Sequence, residues 1–257
     1  MKADKRLINS YLEYDGIVID TVECIASTND EMKRRAAEGA DEIAVLIAES
    51  QTKGKGTKGR RFFSPDGSGC YMSILLRPSY PAEECTQLTT IAAVATAKAI
   101  EKFTDNTAQI KWVNDIYIGR KKVAGILTEA AFSKNGSVLD YAVVGIGINL
   151  SEPQDGFPEE IKDIATSINL NLEKKNEFIA EIINNFVAFY KKLTDREYLG
   201  EYRERLFFIG ETVRVTQGDS TYEAKAVDID DMCHLIVKTD SGEIKTLFAG
   251  EITVRQI

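Results

Sequence analysis

Apolar and polar positions change period several times along the chain, and each change predicts an element. Residues 28–37 read as a helix capped by Ser27 or Thr28, since both S-T-N-D and T-N-D-E fit a capping box. Residues 43–48 form a short apolar run rich in β-branched side chains, which predicts a buried strand. Residues 70–76 predict another, ending at Arg77-Pro78. The longest helical pattern covers 82–103, with Leu88, Ile91, Ala92, Ala95 and Ala99 at helical spacing. Strand patterns return at 109–113, 116–118 and 123–131, with Gly119-Arg120-Lys121 as a hairpin turn. Asn135-Gly136 is a second hairpin signal before 138–149. Helical period follows at 176–193 and 195–207. From about Ile209 short alternating strands are broken by Gly218-Asp219, Asp230-Asp231 and Ser241-Gly242, the pattern of a small SH3-type barrel. The expected fold class is α+β: a mixed, mainly antiparallel sheet with helices over 1–208, then a small β domain over 209–257.

Composition narrows the chemistry. The chain has 257 residues, 44% of them hydrophobic, enough to bury a sizeable core. Its longest apolar run, 141–150, is far short of the roughly 18 to 20 residues that span a bilayer. The N-terminal segment lacks an apolar stretch followed by a small-residue cleavage site, so a cytoplasmic protein is expected. With 32 basic and 40 acidic residues the formal net charge is −8, which does not suit non-specific coating of nucleic acid. Cys24, Cys70, Cys85 and Cys233 form no CxxC pair, and one histidine cannot support a conventional zinc site. Any Ser-His or Cys-His mechanism would rest on His234 alone, which reads as a partly exposed strand residue in the β-rich tail.

Against that acidic background one segment stands out. From Lys53 to Arg61 five cations fall within nine residues, interleaved with Gly54, Gly56 and Gly59. Glycines let backbone N–H groups approach a ligand, and clustered cations neutralise a phosphate chain. The G-x-G-x-x-G spacing is present, but a dinucleotide fold needs a helix to open there, and Arg-Phe-Phe-Ser-Pro-Asp-Gly is not one. The Walker pattern fails because Arg60-Arg61 stands where Lys-Ser/Thr is needed. Three weaker clusters follow. Lys111-Trp-Val-Asn-Asp115 puts the sole tryptophan between a lysine and an Asn-Asp pair, a pattern that equally fits a core tryptophan beside a turn. Lys121-Lys122-Val-Ala-Gly-Ile-Leu127 delivers a lysine from a hairpin turn to an apolar strand. Gly145-Ile-Gly-Ile-Asn149 ends a buried strand with close backbone approach and an amide.

In order and spacing these motifs resemble the biotin–protein ligases. Ser27-Thr28-Asn29, Ala48-Glu-Ser-Gln51 with the glycine-basic loop, Ser64-Pro65, Ser73 and Leu76-Arg-Pro78 begin the pattern. The Lys111, Lys122 and Gly145 motifs continue it, and Gly250-Glu251 resembles the Gly-Glu of the family's C-terminal domain. The resemblance implies the biotin/lipoate ligase catalytic fold with an SH3-like tail, in the ligase-only form without a DNA-binding winged helix. It implies activation of biotin by ATP and Mg2+ to biotinyl-5′-AMP, then transfer to a lysine of a biotin carboxyl carrier domain. Ser27, Thr28, Asn29, Gln51, Lys55, Gly56, Thr57 and Lys122 would surround biotin, and Lys55, Thr57, Arg60, Lys111, Asn114 and Asn149 the ATP. Lys122 and Arg60 would be catalytic, Asp115 would assist magnesium, and no protein metal site is assigned. Two copies would pair through the catalytic sheet, without DNA or membrane contact.

The chain departs from the family pattern at four places. Lys55 and Thr57 stand where the loop carries arginines, Phe62 follows the loop where tryptophan is usual, and Val113 replaces a proline. Lysine is a point charge without arginine's bidentate fork, and threonine adds no charge. Lys53 and Lys58 partly replace the charge, and weaker adenylate retention is expected. Two other readings stay open on sequence: a lipoate or octanoate ligase of the same fold, and a non-catalytic biotin-binding module.

Overall fold

The computed structural model describes residues 2–133 and 138–248, and the backbone of 252–256. The Asn135-Gly136 signal and Gly250-Glu251 lie outside the described residues. Seven strands form the larger sheet: β1 Val18–Ile25, β2 Ala44–Gln51, β3 Gly69–Leu76, β4 Gln109–Lys111, β5 Asp115–Ile118, β6 Lys121–Phe132 and β7 Leu139–Asn149. Their order is β1-β2-β3-β7-β6-β5-β4, with β1 and β2 parallel and every other pair antiparallel. The sheet is therefore mixed and mainly antiparallel, in an α+β fold. Gly119, at φ 59°, makes the β5–β6 turn, a backbone region that suits a residue without Cβ.

Helices cover both faces. α1 Lys5–Ser10 is capped by Asp4. α2 Thr28–Ala37 is capped by Ser27, whose Oγ accepts from the Asp30 N–H at 3.4 Å. Met32 and Ala36 of α2 pack with Leu46, Leu75 and Val143 on one face of the sheet. α3 Leu88–Phe103 and α4 Lys175–Lys191 cover the other with a continuous apolar core, and α5 Tyr198–Arg205 follows. The pattern expected as one helix from residue 82 begins as a 3₁₀ turn, Glu84–Gln87, and becomes α-helical only at Leu88. The strand expected over 109–113 ends at Lys111, and Trp112 turns out of the sheet into the core, where its Nε1 donates to Cys233 O. The last helix is shorter than expected, with a 3₁₀ turn at Leu193–Asp195 and a left-handed Arg196 ahead of it.

The tail forms a second, five-stranded antiparallel sheet. β8 Thr212–Gln217, β9 Ser220–Ile229, β10 Leu235–Thr239, β11 Ile244–Leu247 and β12 Ile252–Gln256 lie in the order β11-β10-β9-β8-β12. Its inward residues, including Val213, Val215, Leu235 and Val237, belong to the same continuous apolar core. His234 falls in the turn before β10, not within a strand, and its Nδ1 meets Asp230 Oδ2 at 2.9 Å. Among the described residues no helix is long and apolar enough to cross a membrane.

Candidate active site

Close backbone approach opens a cleft where α2 begins and where β2, β3, β6 and β7 meet. A Cβ on Gly145 would fall on Asn29 Oδ1, and one on Gly147 would lie 2.7 Å from the Phe62 ring. The glycines of Gly145-Ile-Gly-Ile-Asn149 thus make room for these two side chains. The inner cavity is small and is lined by Ser27, Thr28, Asn29, Gln51, Lys55, Phe62, Tyr71, Gly125 and Gly147 among others. A second cavity holds Arg60, Lys111, Asp115, Lys122 and Asn149 beside the apolar Phe63, Phe157 and Ile164. Phe62 lines both, so the two chambers meet at its ring.

The polar floor of the inner chamber is tightly bonded. Gln51 Oε1 accepts from the Thr28 N–H at 2.8 Å, and Gln51 Nε2 donates to Ser64 Oγ at 3.2 Å. Ser73 Oγ lies 2.7 Å from Thr28 Oγ1 and 2.6 Å from Asn29 Oδ1. Asn29 Nδ2 donates to Leu127 O at 3.2 Å and to Glu129 Oε2 at 2.9 Å. Burial alone would raise the Glu129 carboxyl, but hydrogen bonds from Lys33 and Asn29 outweigh it and hold it below the usual carboxylate range. Burial likewise opposes ionisation of Asp30, and bonds from Lys55 and Lys33 prevail. Lys55 Nζ meets Asp30 Oδ1 at 2.5 Å, so the lysine that replaces a family arginine is tied to the first turn of α2.

Lys122 stands at the junction of the chambers. Its Nζ contacts Asp115 Oδ1 at 2.5 Å and lies 6.0 Å from the Phe62 ring centroid. Its backbone is fixed by the segment that follows β7: Lys122 N–H donates to Ile164 O, and Thr166 N–H to Lys122 O. Asn149 Nδ2 donates to Thr166 O at 2.9 Å and steadies the same segment.

The residues expected around the ligands divide into three groups and one that stands apart. Ser27, Thr28, Asn29, Gln51 and Lys55 meet in the inner chamber, and Arg60, Lys111, Lys122 and Asn149 in the second. Gly56 and Thr57 lie farther out on the loop, in a third hollow with Leu127 and Glu129. Asn114 stands apart from the described cavities. Its Nδ2 donates to Ile126 O at 2.8 Å and its carbonyl accepts from the Ile126 N–H, so it locks the turn onto β6. Trp112 is also structural: it is buried, and its Nε1 donates to Cys233 O at 2.8 Å. Tyr71, Glu129 and Lys33 belong to the site but lay outside the motifs. Among the described residues no group of three His, Cys, Asp or Glu side chains is placed to hold a metal ion.

The sequence profile of the biotin/lipoate A/B protein ligase family matches residues 21–149, and the chain belongs to this family. A second profile, the biotin protein ligase C terminal domain, matches residues 208–255. The bifunctional ligase/repressor BirA of Bacillus subtilis is 34% identical over 236 residues, 90% of this chain and 72% of that protein. The biotin–[acetyl-CoA-carboxylase] ligase of Mycobacterium tuberculosis is 28% identical, covering 91% of this chain and 88% of its own. The structure of biotin protein ligase from Aquifex aeolicus in complex with biotin and ATP superposes with a TM-score of 0.75 at 29% identity, covering 93% of this chain and 99% of that one.

Proposed function

We infer that the protein is a biotin–protein ligase. The biotin carboxylate attacks the α-phosphorus of ATP, pyrophosphate leaves, and biotinyl-5′-AMP stays bound. A carrier lysine then attacks the mixed anhydride carbonyl, and AMP leaves. The observation that carries this reading is the junction at Lys122, where a small polar chamber meets a cation-lined one. The first step joins two anions, so positive charge must stand ready where negative charge accumulates. Lys122 would bridge the carboxylate and α-phosphate oxygens, with Asp115 holding its Nζ in place until the ligands arrive. Arg60 and Lys111 would take the phosphates. No histidine or side-chain nucleophile is required, which agrees with a chain whose lone histidine lies in the tail.

Mg2+ would arrive on the ATP phosphates, since such ions need only one or two protein carboxylates. Asp115 is the carboxylate of the second chamber and would serve, and the ion would neutralise phosphate charge there. We assign biotin and ATP binding to residues 1–208 and a supporting role to 209–257. The acceptor is a biotin carboxyl carrier domain in the cytoplasm, a choice supported by relatives named for acetyl-CoA carboxylase. Pairing of two copies through the catalytic sheet fits this reading, and sedimentation at working concentration tests it.

Lipoate and octanoate are less suited to the inner chamber. Their hydrocarbon ends offer no hydrogen bonds to Thr28 and Gln51, and unpaired buried polar groups penalise such ligands. Pyrophosphate exchange into ATP with biotin, lipoate or octanoate as the acid tests the assignment. Biotin-dependent exchange is expected, falling roughly 100-fold or more in Lys122→Ala. Lipoate-dependent exchange would move the protein to the sister activity, and binding without exchange would make it a binder.

A further inference from the structure

Asn29 lines the inner chamber, yet its amide has little left to offer a ligand. Both Nδ2 protons are engaged, one by Leu127 O and one by Glu129, and Oδ1 faces Ser73. The side chain is 4% exposed. Its orientation follows from its neighbours: a carbonyl and a carboxylate both demand donors, so the NH2 must face them and Oδ1 must face Ser73.

The consequence passes along a line of single protons. Asn29 Oδ1 can only accept, so the one Ser73 proton goes to it across 2.6 Å. Ser73 then has only lone pairs for Thr28 Oγ1 at 2.7 Å, so the Thr28 proton fills that short contact in preference to its other acceptor, Gln51 Oε1 at 3.1 Å. Gln51 Oε1 is already fixed as an acceptor by the Thr28 N–H. The chamber floor therefore turns two acceptors, Thr28 Oγ1 and Gln51 Oε1, toward the ligand. On the rim, Ser27 Oγ accepts from the Asp30 N–H, which leaves its own proton for a ligand carbonyl. Acceptors for N–H groups beside a donor for C=O complement a ureide.

We propose that Glu129 is a positioning residue that sets this polarity, acting through Asn29, Ser73 and Thr28 to keep Gln51 Oε1 open as an acceptor for a ureido N–H. Its second oxygen is held by Lys33 Nζ at 2.6 Å, which keeps the carboxylate seated against Asn29. Without that charge one of the two groups orienting Asn29 is lost. A turned amide would donate to Ser73, reversing each bond down to Thr28. The Thr28 proton would then pass to Gln51 Oε1 at 3.1 Å, and with the Thr28 N–H already bonded there, neither lone pair of that oxygen would be left for a ligand N–H.

The proposal rests on the biotin reading of this chamber and is tested by a double-mutant cycle on biotin affinity, with Glu129→Gln, Ser73→Ala and the pair. Titration calorimetry gives the affinity, and pyrophosphate exchange gives KM and kcat. Each single variant is expected to weaken biotin binding about tenfold, with KM for biotin rising in step and kcat at saturating biotin within about threefold. In the pair the losses should not multiply: Glu129→Gln should cost less than threefold once Ser73 is gone, because the path from it to Thr28 is already broken. Multiplying losses would mean that Glu129 acts on its own or on general packing, and would overturn the proposal. So would biotin binding by Ser73→Ala within twofold of wild type, a result that does not depend on Glu129→Gln folding. If wild-type protein neither binds biotin nor supports exchange, the functional reading falls and the proposal with it. Wild-type binding with unchanged variants removes the proposal alone.

Discussion

Thr57 is exposed on the basic loop, at the start of the 3₁₀ turn Thr57–Gly59, where the family pattern carries an arginine. A hydroxyl there supplies no charge to a phosphate, whereas a guanidinium would offer a two-pronged donor. Thr57→Arg is therefore expected to slow release of biotinyl-adenylate by roughly tenfold, about 1.4 kcal/mol of added contact. A filter-trapping time course measures it directly, and an unchanged release rate would show that Lys53 and Lys58 already meet the need. The motifs that carry Ser27, Gln51, Lys55, Arg60 and Lys122 were readable because each sits within a short run of sequence. Glu129 and Lys33 were not. They act across separations of 100 and 96 residues from their partners, and an isolated glutamate on a strand has no local signature. Asn114 shows the opposite failure: its motif was visible, but its amide is turned to the Ile126 backbone and away from the cavities.

At the scale of elements, α2 is held by its own sequence as well as by packing. Ser27 caps it, and Glu31 accepts from Arg34 and Arg35 one turn on. Those guanidinium hydrogen bonds pull the Glu31 carboxyl down to about 2. A carboxyl lowered on folding adds stability that is full above its unfolded value near 4.3 and fades as pH drops toward 2. Partial exposure screens the pairs, so the contribution is below about 1 kcal/mol. Glu31→Gln should lower the melting temperature at pH 7, and thermal scans should show the gap narrowing from about pH 5 and closing only near pH 2. A gap independent of pH would assign the loss to packing. The local signals explain why Thr28–Ala37 was legible to the residue, with the cap and the acidic first turn both in the sequence. α1 has a cap in Asp4 but no acidic first turn. It is six residues long and depends on distant partners, with the Ala3 N–H bonded to Glu49 and the Asp4 N–H to Asn176. The late start of α3 has a similar cause, because the preceding turn bends to bring Glu84 to Arg196 at 3.0 Å.

Across the whole molecule, the tail meets the catalytic sheet at the segment that precedes the second chamber. Trp112 Nε1 donates to Cys233 O of the tail directly, and α5 links the two from the catalytic side, with Tyr202 OH donating to Val113 O at 3.1 Å and Arg203 Nε pairing with Asp228 of the tail at 2.8 Å. Lys111 and Asp115, which line that chamber, flank the bonded pair Trp112–Val113. The β8–β12 sheet thus braces the stretch that carries the proposed phosphate contacts, while Thr28 and Gln51 are held by other elements. Trp112→Phe retains most of the buried ring and removes the one bond to Cys233. It should destabilise the protein by about 1 kcal/mol, since a buried carbonyl loses its donor. For a chain of this size that corresponds to a melting temperature lower by about 2–4 °C. In exchange assays the same variant should raise KM for ATP several-fold and leave KM for biotin within twofold. Equal changes in both constants would show that the tail supports the catalytic domain as a whole. A change confined to ATP would locate its influence at Lys111 and Asp115, making the second sheet a brace for the nucleotide half of the cleft.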